Sequence, residues 1–592
     1  MAMSGIVYVV RAQDRYAHLF AVTLTIAQPA ADQLVSLPVW IPGSYLVREF
    51  SKHLQRLQAR QGGKTVAITQ RDKSSWQVHA RAGQALVLSY EVYAFDNSVR
   101  TAWLDSQRGF FNGTSLCLRV HGQEDAPHRL TLDDEGLPKD WQVATALTSK
   151  KISRRGFGSY LAASYDELVD SPVELGPFWR GEFVAAGIPH RFIVAGAPPS
   201  FDGARLLADT QAICEAEISF WHGRQPQLAP QRHYLFMLNA VQDGYGGLEH
   251  RHSTALICQR ADLPRLGQAK SGAPSDGYTT LLGLISHEYF HTWNVKRLRP
   301  AEFARYDYAQ ENYTELLWFF EGFTSYFDDL LLRRAKLIDN AHYLKLLSKT
   351  INQVRQTPGR QVQSVAQASF DAWVKYYRQD ENTVNATVSY YTKGALVALC
   401  LDLSLRQGGQ TSLDAVMRAL WQRCQGGPMT EADLLAVLAE LSGQSHTASI
   451  RQWVHGTAEL PLDKLLRQHG IQLEQEEASR ADQLGMKVNE QQGIHVKSVL
   501  RGSAAELAGF AAGDEWLGVE VGHGKGSQRW RLNKLDDVSL YLGSATSCQA
   551  LIARDQRLLT LPLNLPAKSA RVKLAVKDPK RANAWLDGKT AS

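Results

Sequence analysis

The pattern of hydrophobic and polar positions changes along the chain and divides it into regions. Up to about residue 170, short segments such as 22–26 and 86–95 are rich in β-branched and aromatic residues, which predicts strands separated by turns. From about 180 to 275 the pattern is mixed and includes a predicted strand at 232–238. Helical periodicity then dominates to about residue 441, and short strands and turns return after residue 456. The predicted helices are 204–221, 279–295, 313–337, 393–405 and 431–441. We therefore predict a multidomain α+β protein that begins with a β-sandwich.

We place the domain boundaries where this pattern changes. Residues 1–172 form the predicted N-terminal β-sandwich domain, 173–465 a central domain with a helical part, and 466–566 a small third domain. The last segment, 567–592, contains seven lysine and arginine residues. Because a run of like charges is usually solvated, we predict a basic C-terminal tail there.

Composition narrows the class of protein. The chain has 592 residues, of which 44% are hydrophobic and 21% charged, as in an ordinary soluble globular protein, and it lacks the apolar run of about 18 residues that a membrane span needs. The formal net charge of +6 is modest, so we expect no nucleic-acid partner. The six cysteines are scattered without a CxxC pair, and the first residues lack a secretory leader pattern. We therefore expect a protein of the reducing cytoplasm.

The strongest chemical signal is the segment 286–291, which reads SHEYFH and contains an HExxH motif. On a helix, residues four apart lie on one face, so His287 and His291 can bind one zinc ion together. Glu288, next to the first ligand, can then reach a zinc-bound water as general base. The apolar residues that precede the motif, without a proline, favour the helix.

A zinc site of this kind needs a third protein ligand and an open fourth position. Thirty positions after His291, Glu321 stands as a lone acid inside the apolar, aromatic segment 317–326. Burial of a carboxylate there is costly unless it is paired or binds a cation. Glu321 is therefore the predicted third ligand, and the alternative is a partly exposed helix acid.

Two further segments fit the same site. Glu249 follows the pair Gly246 and Gly247, whose missing side chains let the backbone approach a bound peptide closely, and its carboxylate can pair with a terminal ammonium. An ordinary turn is the alternative for this segment. The segment 389–394 (SYYTKG) opens another predicted helix, where a tyrosine can donate a hydrogen bond to an oxyanion or simply pack in the core.

Together these segments resemble the gluzincin metallopeptidases, and specifically the glycyl aminopeptidase family with its appended PDZ domain. The matching segments are 287–294 (HEYFHTWN), 321–324 (EGFT), 246–250 (GGLEH) and 391–394 (YTKG). The resemblance implies a thermolysin-like catalytic domain over 173–465, with Tyr391 as the oxyanion donor. It also implies a preference for N-terminal Gly or Ala.

The resemblance also implies that residues 466–566 are a PDZ-like domain. Leu484 and Gly485 would form its carboxylate-binding loop, and 502–509 with 513–515 would form its helix and turn. Such domains bind a peptide by adding it to a sheet edge, so a peptide C-terminus is the expected ligand. A packing module without a free ligand is the alternative.

The predicted reaction is removal of the N-terminal residue from a peptide with a free N-terminus. A zinc-bound water attacks the first peptide carbonyl, Glu288 takes its proton, and Tyr391 stabilises the oxyanion together with the metal. We expect one zinc per chain, although cobalt or manganese often substitute in such sites. Two alternatives remain: a zinc endopeptidase in which Glu249 is structural, and a PDZ peptide-binding scaffold with a vestigial zinc site.

Overall fold

The computed structural model describes residues 5–267, 274–409, 411–522, 524–566 and 570–588. By their internal contacts these residues group into two compact units. The first falls within Met1–Tyr313, Phe327–Ile338 and Met417–Thr430, and the second within Thr314–Tyr326, Asp339–Val416 and Glu431–Ser592. Within the described ranges, no helix has both the length and the apolar character that a bilayer crossing needs.

The first unit begins with a β-rich region, as the sequence predicts. Its strands are Ile6–Asp14 (β1), Leu19–Ile26 (β2), Gln33–Ser36 (β3), Leu54–Gln61 (β4), Lys64–Val66 (β5), Ile68–Gln70 (β6), Ser75–Val78 (β7), Leu86–Tyr93 (β8), Ala102–Leu104 (β9), Gly109–Phe111 (β10), Arg119–Val120 (β11), His128–Asp133 (β12), Gln142–Thr145 (β13), Thr148–Ile152 (β14), Gly158–Ala162 (β15) and Val173–Gly176 (β16). Two short helices, Gly113–Leu116 (α1) and Tyr165–Val169 (α2), interrupt them.

These strands form three sheets around one core. Their orders are β14-β15-β12-β1-β2-β8-β4-β5, β13-β16-β10-β9 and β11-β3-β7-β6. Strand β2 shows why they form: every second side chain is buried, as the alternation of its sequence requires. Buried side chains from all three sheets join one hydrophobic cluster, which also includes side chains from later in the chain, such as Ile257.

A second sheet region of the first unit carries the predicted zinc helix. Its strands are Trp179–Ala185 (β17), Ile188–Ala195 (β18), Tyr234–Val241 (β19), Gly246–Glu249 (β20) and Ser253–Gln259 (β21), in the order β17-β18-β19-β21-β20. Its helices are Gly203–His222 (α3) and Asp276–Phe290 (α4). The edge strand β20 is the Gly-Gly-Leu-Glu segment, and it pairs with β21 in antiparallel register.

Helix α4 ends earlier than the periodicity predicts. It stops at Phe290, and His291 occupies the C-cap. The next residues turn back on themselves: the amide of Lys296 donates to the carbonyl of His291, and that of Leu298 to the carbonyl of Trp293. The residues after the motif, apart from the half-buried Arg297, are therefore buried in a tight loop, so burial continues beyond the end of the helix. The chain continues through Arg299–Pro300 (β22).

The helical part follows, and it begins with helix Leu317–Arg334 (α5). The others are Asn340–Arg355 (α6), Val365–Phe370 (α7), Thr383–Ala386 (α8), Thr392–Gln407 (α9), Leu413–Arg423 (α10), Glu431–Ser442 (α11), Thr447–Trp453 (α12) and Leu462–Gln468 (α13), with strand Pro428–Met429 (β23) between α10 and α11. The structure thus confirms a multidomain α+β chain with a helical part after a β-rich start.

The C-terminal region of the second unit contains a small domain with its own core. Its elements are strands Ile471–Glu477 (β24), Met486–Asn489 (β25), Ile494–Val499 (β26), Glu515–Val521 (β27), Gln528–Arg531 (β28), Ser547–Arg554 (β29) and Arg557–Asn564 (β30), and helices Arg480–Leu484 (α14), Ala504–Ala508 (α15) and Asp537–Leu542 (α16). Buried side chains between residues 484 and 563 form a separate hydrophobic cluster. The predicted boundaries at 172, 465 and 566 stay predictions.

The prediction of a solvated basic tail over 567–592 is wrong for its described part. Strand Ala570–Val576 (β31) pairs with β24, and helix Pro579–Leu586 (α17) buries Trp585 completely. Asn352 on α6 exchanges two hydrogen bonds with the backbone of Val572, at 2.7 and 2.8 Å. The apolar residues of this segment alternate with basic ones, so one face is buried while the charges face solvent. Lys568 and Lys589 lie outside the described residues.

Candidate active site

The C-terminal turn of α4 presents the two histidines of the motif on one face. Ser275 caps the helix start, its hydroxyl accepting from the amide of Tyr278. The apolar residues before the motif are buried and fix the helix against the sheet. The imidazole rings of His287 and His291 lie 4.7 Å apart between centroids, as the four-residue spacing predicts.

Each histidine is oriented by a hydrogen bond at Nδ1. Nδ1 of His291 lies 2.7 Å from the carbonyl of Asn294, and Nδ1 of His287 lies 3.0 Å from Oδ2 of Asp328. Because a carbonyl oxygen only accepts, Nδ1 of His291 carries the proton and its Nε2 carries the lone pair. A carboxylate partner assigns the same form to His287. Both rings are therefore in the state that metal-binding histidines adopt.

Asp328 is a candidate site residue that the sequence did not predict. It lies on α5, seven residues after Glu321, and two turns of a helix place such residues on the same face. Burial raises the pKa of Asp328, while its hydrogen bond with His287 acts in the opposite direction. The heptad spacing from Glu321 is the signal that could have found it.

Glu288 and Glu249 lie together in the first unit. Each is only 5% exposed, and one oxygen from each carboxylate lies within 4.8 Å of the other and of a nitrogen of His291. Two buried carboxylates this close together favour a small cation or an ammonium group beside them.

Strand β20 packs directly against the general-base candidate. A Cβ built on Gly247 would lie 2.2 Å from Oε1 of Glu288 and 2.5 Å from its Cγ, so no other residue fits here without moving Glu288. The guanidinium of Arg100 donates to the carbonyl of Gly247 at 3.1 Å. The predicted close approach at this segment is thus present, but the group that fills the space beside Gly247 is Glu288.

A buried ion-pair network lies near Glu249. Nζ of Lys296 is 2.7 Å from Oδ1 of Asp170, which also pairs with Arg251. Burial alone would raise the pKa of Asp170, but Lys296 and then Arg251 hold that pKa well below its ordinary value. The network ties the loop after α4 to the end of the N-terminal β region. Sequence reasoning missed it because nothing local marks the partners of a buried charge.

In the second unit, helix α5 brings Glu321 beside Tyr391. The backbones of α5 and α9 nearly touch: a Cβ on Gly322 would lie 2.6 Å from Cα of Gly394, and one on Gly394 would lie 2.6 Å from the carbonyl oxygen of Trp318. Glu321 is 2% exposed, as its apolar context predicts. Burial, and then the charge of Glu321, raise the pKa of Tyr391 well above its ordinary value. The hydroxyl of Tyr391 therefore stays protonated and can donate.

The predicted zinc ligands fit the metal by the chemistry of their donor atoms. His287 and His291 in the first unit offer two imidazole nitrogens, and Glu321 in the second unit offers a buried carboxylate oxygen. Two imidazole nitrogens and one carboxylate oxygen are the donor set of zinc peptidases, which keep a fourth position open for water or substrate.

The predicted carboxylate loop of the third domain is engaged within the chain. Gly485 follows α14 in a left-handed conformation, and its amide donates to the carbonyls of Ala481 and Asp482. Its carbonyl accepts from the amide of Leu500 at 2.8 Å, and the side chain of Leu484 is buried in the domain core. A peptide carboxylate would have to compete with these bonds, and the role of this loop stays a prediction.

Comparison with known proteins identifies the family. The model of the peptidase M61 N-terminal domain matches residues 7–177, and that of M61 glycyl aminopeptidase matches residues 280–397. No curated protein matches the sequence. The crystal structure of an aminopeptidase N family protein from Idiomarina loihiensis is 37% identical, covers 98% of this chain and 100% of its own, and superposes with a TM-score of 0.91. The chain therefore belongs to the same family as this aminopeptidase N family protein, contains regions that match both M61 peptidase domain models, and is a peptidase.

Proposed function

We propose that this peptidase is a zinc-dependent aminopeptidase that removes one N-terminal residue from peptides. The observation that carries the proposal is the buried pair of carboxylates, Glu249 and Glu288, within 4.8 Å of each other and of His291. One acid suffices as general base. The second gives the terminal ammonium of a substrate a partner, which an endopeptidase does not need.

His287, His291 and Glu321 would hold one zinc ion. A bound zinc lowers the pKa of a coordinated water to about 7 and polarises the scissile carbonyl. Asp328 would orient His287 and raise its basicity through the hydrogen bond at Nδ1. Cobalt or manganese are the substitutes that this donor set also accepts.

Proton transfer, oxyanion stabilisation and substrate binding fall to side chains of the protein. Glu288 accepts a proton from the attacking water and passes it to the leaving amine, and Gly247 holds its side chain in place by close contact. Tyr391, kept protonated by its surroundings, donates a hydrogen bond to the oxyanion of the first peptide carbonyl. Glu249 binds the ammonium, and strand β20, including Gly246, lies along the substrate.

The test is hydrolysis of amino-acid anilides and matched N-acetylated peptides, before and after chelation and with zinc added back. We expect cleavage of free-amine Gly and Ala substrates, the preference that the family name suggests, with loss on chelation and on acetylation. Glu249→Gln should raise KM for free-amine substrates far more than it lowers kcat, whereas Glu288→Gln should abolish turnover with zinc still bound. Cleavage of acetylated peptides would favour the endopeptidase, and absence of any cleavage despite bound zinc would favour the scaffold.

We also propose that residues 466–566 are a PDZ-like domain, with Leu484 and Gly485 near its peptide site. Its separate core and the edge position of β25 support strand addition by a peptide C-terminus. Titration with a fluorescent peptide and with its C-terminal amide tests this, because only the free carboxylate should bind. We further propose a cytoplasmic location, because the six cysteines are scattered along the chain without a CxxC pair, which suits a reducing compartment.

A further inference from the structure

The N-terminal β region contains a tight turn at Pro42 and Gly43. The amide of Ser44 donates to the carbonyl of Ile41 at 3.0 Å, with Pro42 and Gly43 at the two central positions. Gly43 has φ of +91°, which is the geometry of a type II turn and requires glycine at the third position. The shape of this turn is therefore fixed by its own sequence.

The turn is also held firmly by its neighbours. On one side, the indole nitrogen of Trp40 donates to the carbonyl of Asp307 at 2.7 Å. On the other, the ring of Tyr45 stacks on Phe303, and the guanidinium of Arg48 donates to the hydroxyl of Ser44 at 2.7 Å. Anchors on both sides leave the tip of the turn little freedom to move.

The tip of the turn lies against the carboxylate of Glu249. A Cβ built on Gly43 would lie 2.5 and 2.6 Å from the two carboxylate oxygens and 2.8 Å from Cδ. All three atoms of the group are thus packed against one glycine. Any other residue at position 43 would displace the carboxylate of Glu249, because the position of a Cβ is fixed by the backbone.

We infer that the turn of Pro42 and Gly43 positions Glu249 and closes the substrate cleft behind it. The inference rests on the proposed role of Glu249 as the ammonium partner. The catalytic sheet supplies the acid, and the N-terminal β region sets where that acid stands and leaves no room for a peptide to extend past it. Selectivity for a chain end is then a property that the two regions build together.

The test compares Gly43→Ala with Gly122→Ala. Gly122 has φ of +85°, and a Cβ added there would meet nothing within 4 Å, so the control carries the same backbone strain without a contact. Relative to the control, Gly43→Ala should raise KM for an alanine anilide by about 10- to 100-fold, the effect of disturbing one hydrogen bond to a charged group. In a Glu249→Gln background the same substitution should change KM less than about twofold, because residue 249 then no longer carries the charge that pairs with the ammonium, and its displacement costs little further binding.

A structural readout keeps the inference separate from the proposed function. A crystal structure of Gly43→Ala should show the Glu249 carboxylate displaced, whether or not the enzyme cleaves anilides. If Gly43→Ala does not fold, Pro42→Ala loosens the turn without adding an atom and should raise the same KM. An unmoved carboxylate, a KM equal to that of the control, or an equal loss in the Glu249→Gln background would overturn the inference. Inactivity of the wild-type enzyme on free-amine substrates would instead refute the proposed function.

Discussion

Substitution of Gly247 by alanine should disable the general base without touching any metal ligand. The new Cβ would lie 2.2 Å from Oε1, 2.4 Å from Cδ and 2.5 Å from Cγ of Glu288, whereas ordinary contacts begin at 3.4 Å. The new Cβ would clash with Cγ of Glu288 as well as with its carboxylate, so rotation of the carboxylate alone cannot remove the clash. Glu288 must therefore retreat by about 1 Å, a displacement that costs about 100-fold in catalytic rate.

A 100-fold loss corresponds to about 2.7 kcal/mol of transition-state stabilisation. We expect kcat on an alanine anilide to fall by at least that factor, while zinc content stays at one per chain because the histidines are not displaced. The matched control is Gly5→Ala, at a position with nothing within 4 Å and no unusual φ. In a Glu288→Gln background the further loss should nearly vanish.

Two results would refute this reasoning. One is a kcat for Gly247→Ala within about twofold of the control, because a shift of this size in a general base cannot be silent. The other is an equal loss in the Glu288→Gln background, which would mean that Gly247 acts on the substrate and not through Glu288.

Three further predictions concern other contacts. Asp328→Ala should weaken zinc binding by about 10- to 100-fold in competition with a chelator, and unchanged affinity would exclude its orienting role. Burial lowers the pKa of His190 to about 4. As pH falls from 6.5 to 4, this histidine is therefore protonated in the unfolded chain but stays neutral in the folded chain, which favours unfolding. Up to about 3 kcal/mol of unfolding free energy should be lost in that interval, and chemical denaturation of His190→Phe should show a shallower pH dependence. Trp585→Ala should cost about 3–5 kcal/mol in urea unfolding, whereas a solvated tail would cost nothing.

Local spacing predicted much of the candidate site. His287 and His291 share a helix face because of a four-residue period, and this needs no long-range information. The apolar neighbours of Glu321 predicted its burial, because a segment with that composition has no stable exposed arrangement. Segments with alternating burial, such as β2, were found in the same way.

Hydrophobic periodicity gave wrong element boundaries where apolar residues are buried outside a helix or a strand. It extended α4 beyond Phe290 because the apolar side chains of the following loop are buried too. Periodicity did not predict β31 and α17, because the many lysine and arginine residues of this segment suggest a solvated tail. Its apolar residues are buried only through pairing with β24 and contact with α6.

The sequence by itself determined which groups can do chemistry and the local elements that carry them, since helix and strand periods are properties of neighbouring residues. Only the tertiary structure decided which distant groups meet: Asp328 at His287, Gly247 at Glu288, and Gly43 at Glu249. Contacts of this kind depend on how whole elements pack, to within about 1 Å, and packing is settled by the burial of the entire core. The candidate zinc ligands can therefore be predicted from the sequence. The contacts that position them and the neighbouring carboxylates cannot.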